Sequence, residues 1–250
     1  MANIRSNSIF HFTPSKENLK GILSDNFKIK YCKELMPFKE EELGIYVPMV
    51  SFCEIPLSRV KDHVSKYGGY GVGLDRSWAI RNRLNPVMYV ETNSNLAASY
   101  YSAIKHYFTV FEELDDDKKR ELKNFCEFLR YMKPYQGVLR RQGNVKDQDY
   151  RFSDECEWRY VIPLESDTVA LFHETDFESE GVREKAAISL ECKRLSFVPS
   201  DIKYIFIDDD SEISEFCDHL RNLEGSRYSH GDVERLMTRI ITMSQIKVDF

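Results

Sequence analysis

The sequence predicts an α+β protein, in which a single domain over residues 1–250 combines a β-sheet core with an inserted helical hairpin and C-terminal helices. Short runs of alternating or β-branched residues, bounded by proline or aspartate as strands often are, lie at 9–13, 48–56 and 203–207. Apolar and aromatic residues recur at intervals of three or four across 96–133, and this spacing indicates the helical hairpin. Similar spacing in 211–244 predicts two closing helices.

The composition is that of a soluble protein, with 42% hydrophobic and 30% charged residues. No apolar run approaches the roughly 18 to 20 residues that span a bilayer, and the start has no apolar signal-peptide core. We therefore expect a cytoplasmic protein that does not contact a membrane. The formal net charge of -6 excludes general attraction to phosphate but leaves room for a local basic patch. The six cysteines are scattered, which argues against structural zinc and a disulfide scaffold.

The segment around Glu155 and Glu157 is the strongest candidate for chemistry. It reads Asp154-Glu155-Cys156-Glu157-Trp158-Arg159-Tyr160 and continues into an apolar run. Side chains at i and i+2 of a strand share one face, so both glutamates are predicted to point the same way. If water is excluded there, repulsion raises the proton affinity of one carboxylate, as acid, base or electrostatic work requires. Alternatively both are solvated charges on an edge strand, or Arg159 pairs with Glu157 or Asp154 in a structural ion pair.

Two further segments have an unusual composition. Residues 67–74 are rich in glycine, which either turns the chain sharply or lets a ligand approach the backbone. Their spacing fits neither a Rossmann nor a P-loop fingerprint. Residues 134–151 show no periodicity, and a basic stretch within them is flanked by Tyr135 and Tyr150. Long aperiodic loops are often functional, so this one is predicted to be a loop that faces a substrate.

Three short motifs occur in an order that resembles the ADP-ribosyltransferase fold. They are His11-Phe12-Thr13 on an early strand, Ser51-Phe52 on a middle strand and Glu155-Cys156-Glu157 on a late one. The opening His-x-Thr strand is also similar to that of DNA-modifying toxins of the DarT type. This resemblance implies a split β-sheet core that holds NAD in a cleft between two small sheets, with no metal. The residues it implies for NAD binding are His11, Thr13, Ser51, Phe52, Tyr67 and Tyr70.

The resemblance also implies roles for the two glutamates. In enzymes of this fold a carboxylate bonds the nicotinamide ribose and stabilises the positive charge that develops as nicotinamide leaves. Glu157 is thus implied as the catalytic carboxylate, and Glu155 as the group that helps to activate an acceptor. The basic residues Arg140, Arg141 and Arg151 are predicted to position a negatively charged acceptor.

At the level of the whole chain, the sequence resembles the AbiGi family of abortive phage-resistance proteins. The residues that carry this resemblance lie at 9–14, 31–34, 48–57, 67–74 with Trp78, and 155–160. The family is labelled as the antitoxin-like partner of a two-gene abortive infection system, which implies binding rather than catalysis.

These resemblances leave alternative functions in phage defence open. One is an NAD-dependent ADP-ribosyltransferase-like toxin that modifies nucleic acid or protein. The other is a non-catalytic antitoxin or sensor that binds a co-encoded toxin or a phage component. A nucleic-acid-binding module without catalysis is a third, weaker alternative, because a single short loop is basic in an acidic chain.

Overall fold

The computed structural model describes residues 6–39, 41–110, 113–141 and 144–249, which form a mixed α+β architecture. The strands are β1 Ser8–Thr13, β2 Phe27–Lys28, β3 Lys30–Pro37, β4 Glu42–Cys53, β5 Tyr70–Asp75, β6 Asn85–Pro86, β7 Met88–Val90, β8 Met132–Pro134, β9 Gly137–Arg141, β10 Asn144–Tyr150, β11 Glu157–Val161, β12 Phe172–His173, β13 Arg194–Leu195, β14 Ile202–Ile207 and β15 Ile240–Thr242. The helices are α1 Lys16–Asp25, α2 Val60–Tyr67, α3 Arg76–Arg81, α4 Asn95–Thr109, α5 Asp116–Arg130, α6 Glu174–Phe177, α7 Val182–Leu190, α8 Ile213–Asn222, α9 His230–Met237 and α10 Met243–Asp249.

The main sheet is built around β4, which pairs with strands along both of its edges. The strand order is β15-β14-β5-β1-β4-β11-β6, and β3 and β12 also pair with β4. The first part of β4 pairs with β3 and the last part with β11, while β1 meets it at Phe10 and Cys53. Beside that point the ring of His11 donates from Nδ1 to the Ser51 carbonyl at 2.9 Å, because a carbonyl can only accept. This bond ties β1 to β4 one residue beyond Phe10 and two residues before Cys53.

Helices cover both faces of the sheet. One face, here called the α1 face, carries Ile9, Phe52 and Val72 and packs against α1, α3, α8 and α9. The opposite face, the α2 face, carries Phe10 and Phe206 and packs against α2 and α10. The α4–α5 hairpin packs on further residues of β4 through Ile45, Val47 and Met49. The buried side chains of these three layers form most of the apolar core.

The two predicted helical regions are present with altered limits. The insertion predicted over 96–133 contains α4 and α5, and the Asp115 side chain caps α5 by accepting from the Lys118 N–H at 2.9 Å. The region predicted as two helices over 211–244 contains α8 and α9, then a strand that was not predicted. That strand, β15, pairs in parallel with β14. Its Ile240-Ile241-Thr242 sequence is β-branched throughout, and this composition favours a strand.

The prediction of an aperiodic loop over 134–151 was wrong. Most of this segment forms β9 and β10, an antiparallel pair in which Arg140 lies opposite Val145 and Gly137 opposite Tyr150. Most β10 side chains are exposed, so the sequence lacks the alternation by which a half-buried strand is recognised. Arg140 and Arg141 are therefore on strand β9, and Arg151 directly follows β10.

Candidate functional site

Glu155 and Glu157 converge, although not through the strand geometry that the sequence suggested. Glu155 ends a short 3-10 turn over Phe152–Glu155, and β11 begins only at Glu157. Between them Cys156 has a left-handed backbone with φ +45°. An L-residue adopts this conformation at a cost, and it redirects the chain between the two carboxylates. Both side chains consequently reach the same partner, the ammonium group of Lys133 on β8.

Lys133 lies between the two carboxylates in a site closed to water. Its Nζ pairs with Glu155 Oε2 at 3.0 Å and also with Glu157 Oε2. The three residues are 8%, 4% and 5% exposed respectively. The ammonium also lies 5.0 Å from the centre of the Phe152 ring. Burial of this kind is tolerated because each charge has a partner.

Arg159 extends the cluster on the other side of Glu157. It is fully buried, and its Nε donates to Glu157 Oε1 at 2.6 Å. Its Nη2 pairs with Glu34 Oε2 at 3.0 Å, and Nη1 donates to the Arg130 carbonyl, also at 3.0 Å. We call Glu34, Arg159, Glu157, Lys133 and Glu155 the buried ion network. Three carboxylates face two cations in it.

The charges of the network keep Glu157 ionised. Burial alone would raise its pKa, but Arg159 and Lys133 outweigh burial and hold the pKa of Glu157 at about 2. Burial also acts to lower the pKa of Lys133, yet Glu157 and Glu155 raise it well above its usual value. A general base works best when its pKa lies near the working pH. Glu157 in this arrangement therefore fits a structural ion pair better than a base.

Tyrosines close the network. The Tyr67 hydroxyl donates to Glu155 Oε1, and the Tyr89 hydroxyl accepts the Glu157 backbone N–H at 2.7 Å. Burial and the charge of Glu155 raise the pKa of Tyr150 beyond its usual range. Tyr67, which was predicted to bind NAD, thus contacts Glu155, which was predicted to be catalytic. Here it serves as a hydrogen-bond donor, and its ring stacks on His63 at 4.2 Å between centres.

His11 lies on the opposite face of the sheet from Glu157. In antiparallel pairs, residues directly opposite each other share a face, and Glu157 lies opposite Cys53, which lies opposite Phe10. Glu157 is therefore on the α2 face, whereas His11 follows Phe10 and is on the α1 face. Its ring packs against Phe52 at 5.6 Å, and burial lowers its pKa. The sheet itself separates the two residues that the NAD hypothesis places on one ligand.

The remaining NAD-binding candidates make local contacts. Thr13 accepts from the side-chain amide of Asn18 at 2.9 Å, and Phe52 is buried in the core of the α1 face. Ser51 lies opposite Arg159 on β11. Tyr70 donates to Glu212 at 2.9 Å, and burial first, then Glu212, raises its pKa to about 12. The structure does not bring these four side chains together around one space.

The glycine-rich segment supports packing of the protein's own side chains. Gly68 has φ +112°, and a Cβ there would lie 2.4 Å from the Thr13 carbonyl, so it makes a sharp turn next to β1. A Cβ on Gly73 would lie 2.9 Å from the rings of Phe10 and Tyr204. Val72 and Leu74 are buried in the core of the α1 face. Both faces of β5 are therefore covered by side chains.

Two of the three predicted acceptor-binding arginines, Arg140 and Arg151, are exposed. Arg140 lies on β9 and Arg151 directly follows β10, with its guanidinium 6.0 Å from the centre of the Tyr135 ring. The side chain of Arg141 lies outside the described part of the structure. Arg140 and Arg151 face solvent, whereas Glu155 and Glu157 do not.

Sequence reasoning missed Lys133, Tyr89 and Glu34. None was given a role in the site, although 31–34 was among the segments of family resemblance, because their partners come from distant segments. One signal was present, because two glutamates that are predicted on one buried face need cationic partners. Among the described residues, no cluster of three His, Cys, Asp or Glu side chains could hold a metal ion. In the same residues, no helix has both the length and the apolarity to cross a membrane.

Comparison with known proteins shows the family to which the chain belongs. A family model described as "Putative abortive phage resistance protein AbiGi, antitoxin" matches residues 25–208, and the chain belongs to this family. It is similar to the abortive phage resistance protein AbiGi of Lactococcus lactis subsp. cremoris, with 28% identity covering 89% of this chain and 94% of that protein. The predicted membership of the AbiGi family is confirmed. No solved structure matches the chain.

Proposed function

We propose that this protein is a non-catalytic antitoxin of an abortive phage-resistance system and acts by binding a co-encoded toxin. The observation that carries the proposal is the buried ion network. Glu155 and Glu157, the residues best suited to catalysis by sequence, are neutralised by Lys133 and Arg159 and are closed off by Tyr67. Such a network holds elements together, because loss of one partner leaves a buried charge unpaired.

The network joins segments that are far apart in the chain. Glu34 comes from β3, Lys133 from β8, and Glu157 and Arg159 from β11. It thereby fixes the position of the α4–α5 hairpin relative to β4, since Arg159 also bonds the carbonyl of Arg130 at the end of α5. A rigid scaffold of this kind suits a protein that presents a preformed surface to a partner. The word antitoxin in the family description supports the same function.

NAD-dependent ADP-ribosyl transfer on an ADP-ribosyltransferase-like split sheet stays a prediction. The contact between Tyr67 and Glu155 is the observation that favours it, because it places an aromatic ring beside a carboxylate. For Glu157 to contact a ribose, however, its bonds to Lys133 and Arg159 would have to break. Binding of nucleic acid by the hairpin that carries Arg140 is likewise a prediction, and steep salt dependence would support it.

The test is co-expression with the co-encoded protein, followed by tag purification and size-exclusion chromatography. The proposal expects a stable complex of fixed stoichiometry and no release of nicotinamide from NAD by this chain. The Glu157→Gln variant is expected to lower thermal stability rather than to remove an activity. Glu121→Gln, an exposed carboxylate on α5, is the matched control. Nicotinamide release that disappears in a folded Glu157→Gln protein but persists in Glu121→Gln would overturn the proposal.

A further inference from the structure

A cleft on the α2 side of the molecule has a lining that the proposed function does not use. It has a volume of about 370 Å³ and lies between α2 and the segment that joins β10 to β11. Its lining includes Arg59, His63, Lys66, Tyr150 and Asp154. Pockets for small ligands and cofactors commonly occupy about 300–1,000 Å³, so the cleft can take a ligand the size of a mononucleotide.

Basic side chains line one wall of this cleft in a helical pattern. Arg59, His63 and Lys66 are spaced i, i+4 and i+7, which places them on one face of α2 and the turn before it. Arg59 and Lys66 thus place two cationic groups at one wall of the cleft in a protein whose formal net charge is -6. A phosphate group accepts hydrogen bonds from arginine, lysine and histidine at such a wall.

The acidic neighbours of these cations hold them weakly. Arg59 Nη2 lies 3.6 Å from Asp154 Oδ2, and Lys66 Nζ lies 3.9 Å from Asp147 Oδ2. Both separations exceed ordinary hydrogen-bond lengths, whereas the pairs of the buried ion network lie at 3.0 Å or less. All four side chains are between 29% and 52% exposed. A phosphate can therefore take the place of Asp154 beside Arg59 and of Asp147 beside Lys66, and the two aspartate side chains can then turn toward water.

Aromatic rings complete the cleft. Lys66 Nζ lies 4.0 Å from the centre of the Tyr150 ring, a cation–π contact. The His63 ring stacks on Tyr67 with an interplanar angle of 10°. Flat aromatic surfaces next to phosphate-binding cations are the combination on which nucleobases stack. Tyr67 is anchored beneath by its bond to Glu155, so this wall is preorganised by the buried ion network.

We propose that this cleft binds a nucleoside monophosphate. The phosphate binds Arg59 and Lys66, which moves Lys66 off the face of the Tyr150 ring, and the base stacks against the aromatic wall of His63 and Tyr150. The proposal stands apart from toxin binding, and neither depends on the other. It assigns a ligand class to Arg59, His63 and Lys66, to which none of the earlier functional predictions gave a role.

The test is calorimetric titration of the purified full chain with AMP, with inorganic phosphate and with adenosine. We expect saturable AMP binding, and affinity lower by about tenfold or more in Arg59→Gln and Lys66→Gln, as for loss of one charge-assisted hydrogen bond. Asp154→Asn removes a competing carboxylate and is expected to tighten binding. Lys61→Gln is the matched control, because it removes the same charge from the same helix without lining the cleft.

Circular dichroism of each variant first confirms that it is folded, as expected for substitutions of exposed or half-buried side chains. No saturable binding of AMP to the wild type at millimolar concentration would overturn the proposal. Equal weakening in Lys61→Gln would also overturn it, because the effect would then be one of overall charge. If adenosine bound as tightly as AMP, Arg59 and Lys66 would contribute nothing through the phosphate, and the proposal would be overturned as well.

Discussion

Replacing Lys133 with methionine tests whether the buried ion network stabilises the fold. The substitution keeps a long side chain but removes the charge between Glu155 and Glu157. Glu157 retains Arg159 at 2.6 Å and Glu155 retains the Tyr67 hydroxyl, so one charge of three loses its cation. Breaking a buried pair costs roughly 3 to 5 kcal/mol of unfolding free energy. For a chain of this size that is about 10 °C in Tm.

The same variant has a signature in its pH dependence. The folded-state pKa of Glu157 is lowered to about 2, so its contribution to stability is present above its unfolded-state pKa and is lost as pH falls through about 2. Removal of Lys133 raises that folded-state pKa, and the variant then loses less stability on acidification. The stability difference between wild type and Lys133→Met should therefore narrow as the pH falls from about 5 to about 2.

Urea unfolding at several pH values measures both effects. The control is Lys105→Met, whose partner Glu41 lies at 3.0 Å in an exposed pair. An exposed pair contributes about 1 kcal/mol or less, so this control should unfold close to the wild type at every pH. If Lys133→Met is no more destabilising than Lys105→Met, or if the difference is independent of pH, the network does not stabilise the fold as we argue.

Two further predictions concern the backbone. Cys156→Gly should raise the free energy of unfolding by about 1 kcal/mol in urea denaturation, because glycine adopts φ +45° without the Cβ clash. Cys156→Val should lower the free energy of unfolding. Equal effects of the two substitutions would count against backbone strain at this residue. Gly73→Ala should lower the free energy of unfolding by about 1 to 3 kcal/mol, seen as a lower Tm, because its Cβ would lie 2.9 Å from two rings. The control is Gly21→Ala in α1, whose Cβ would have nothing within 4 Å and which should raise the Tm slightly. An unchanged Tm for Gly73→Ala would show that the two rings can move aside.

Local patterns in the sequence predicted the elements whose signals are local. Strands β1 and β14 lie where the alternating or β-branched runs at 9–13 and 203–207 predicted them. The α4–α5 hairpin was recognised because its apolar stripe repeats with helical spacing. The β9–β10 hairpin was not, since its exposed side chains leave no alternation to detect. The sequence therefore predicts buried elements better than exposed ones.

The site was predicted in part, and for a reason that proved incomplete. Glu155 and Glu157 do share one buried environment, but Cys156 turns the chain where the prediction had a continuous strand. The two glutamates indicated that a cation was needed, but not which one, because the residues around Lys133 do not show that it faces a distant strand. Which face His11 occupies depends on strand register, and a shift of one residue reverses it.

The many pairings of β4 have a consequence for how the chain folds as it is synthesised. Its partners β1 and β3 precede it in the chain, so one edge of β4 can pair as soon as residue 53 has been made. The other edge waits for β11, which is made only at residues 157–161. Pairings between such distant segments form slowly, and an unpaired strand edge invites association with other chains. Folding of the newly made chain should therefore depend on how quickly β11 reaches β4.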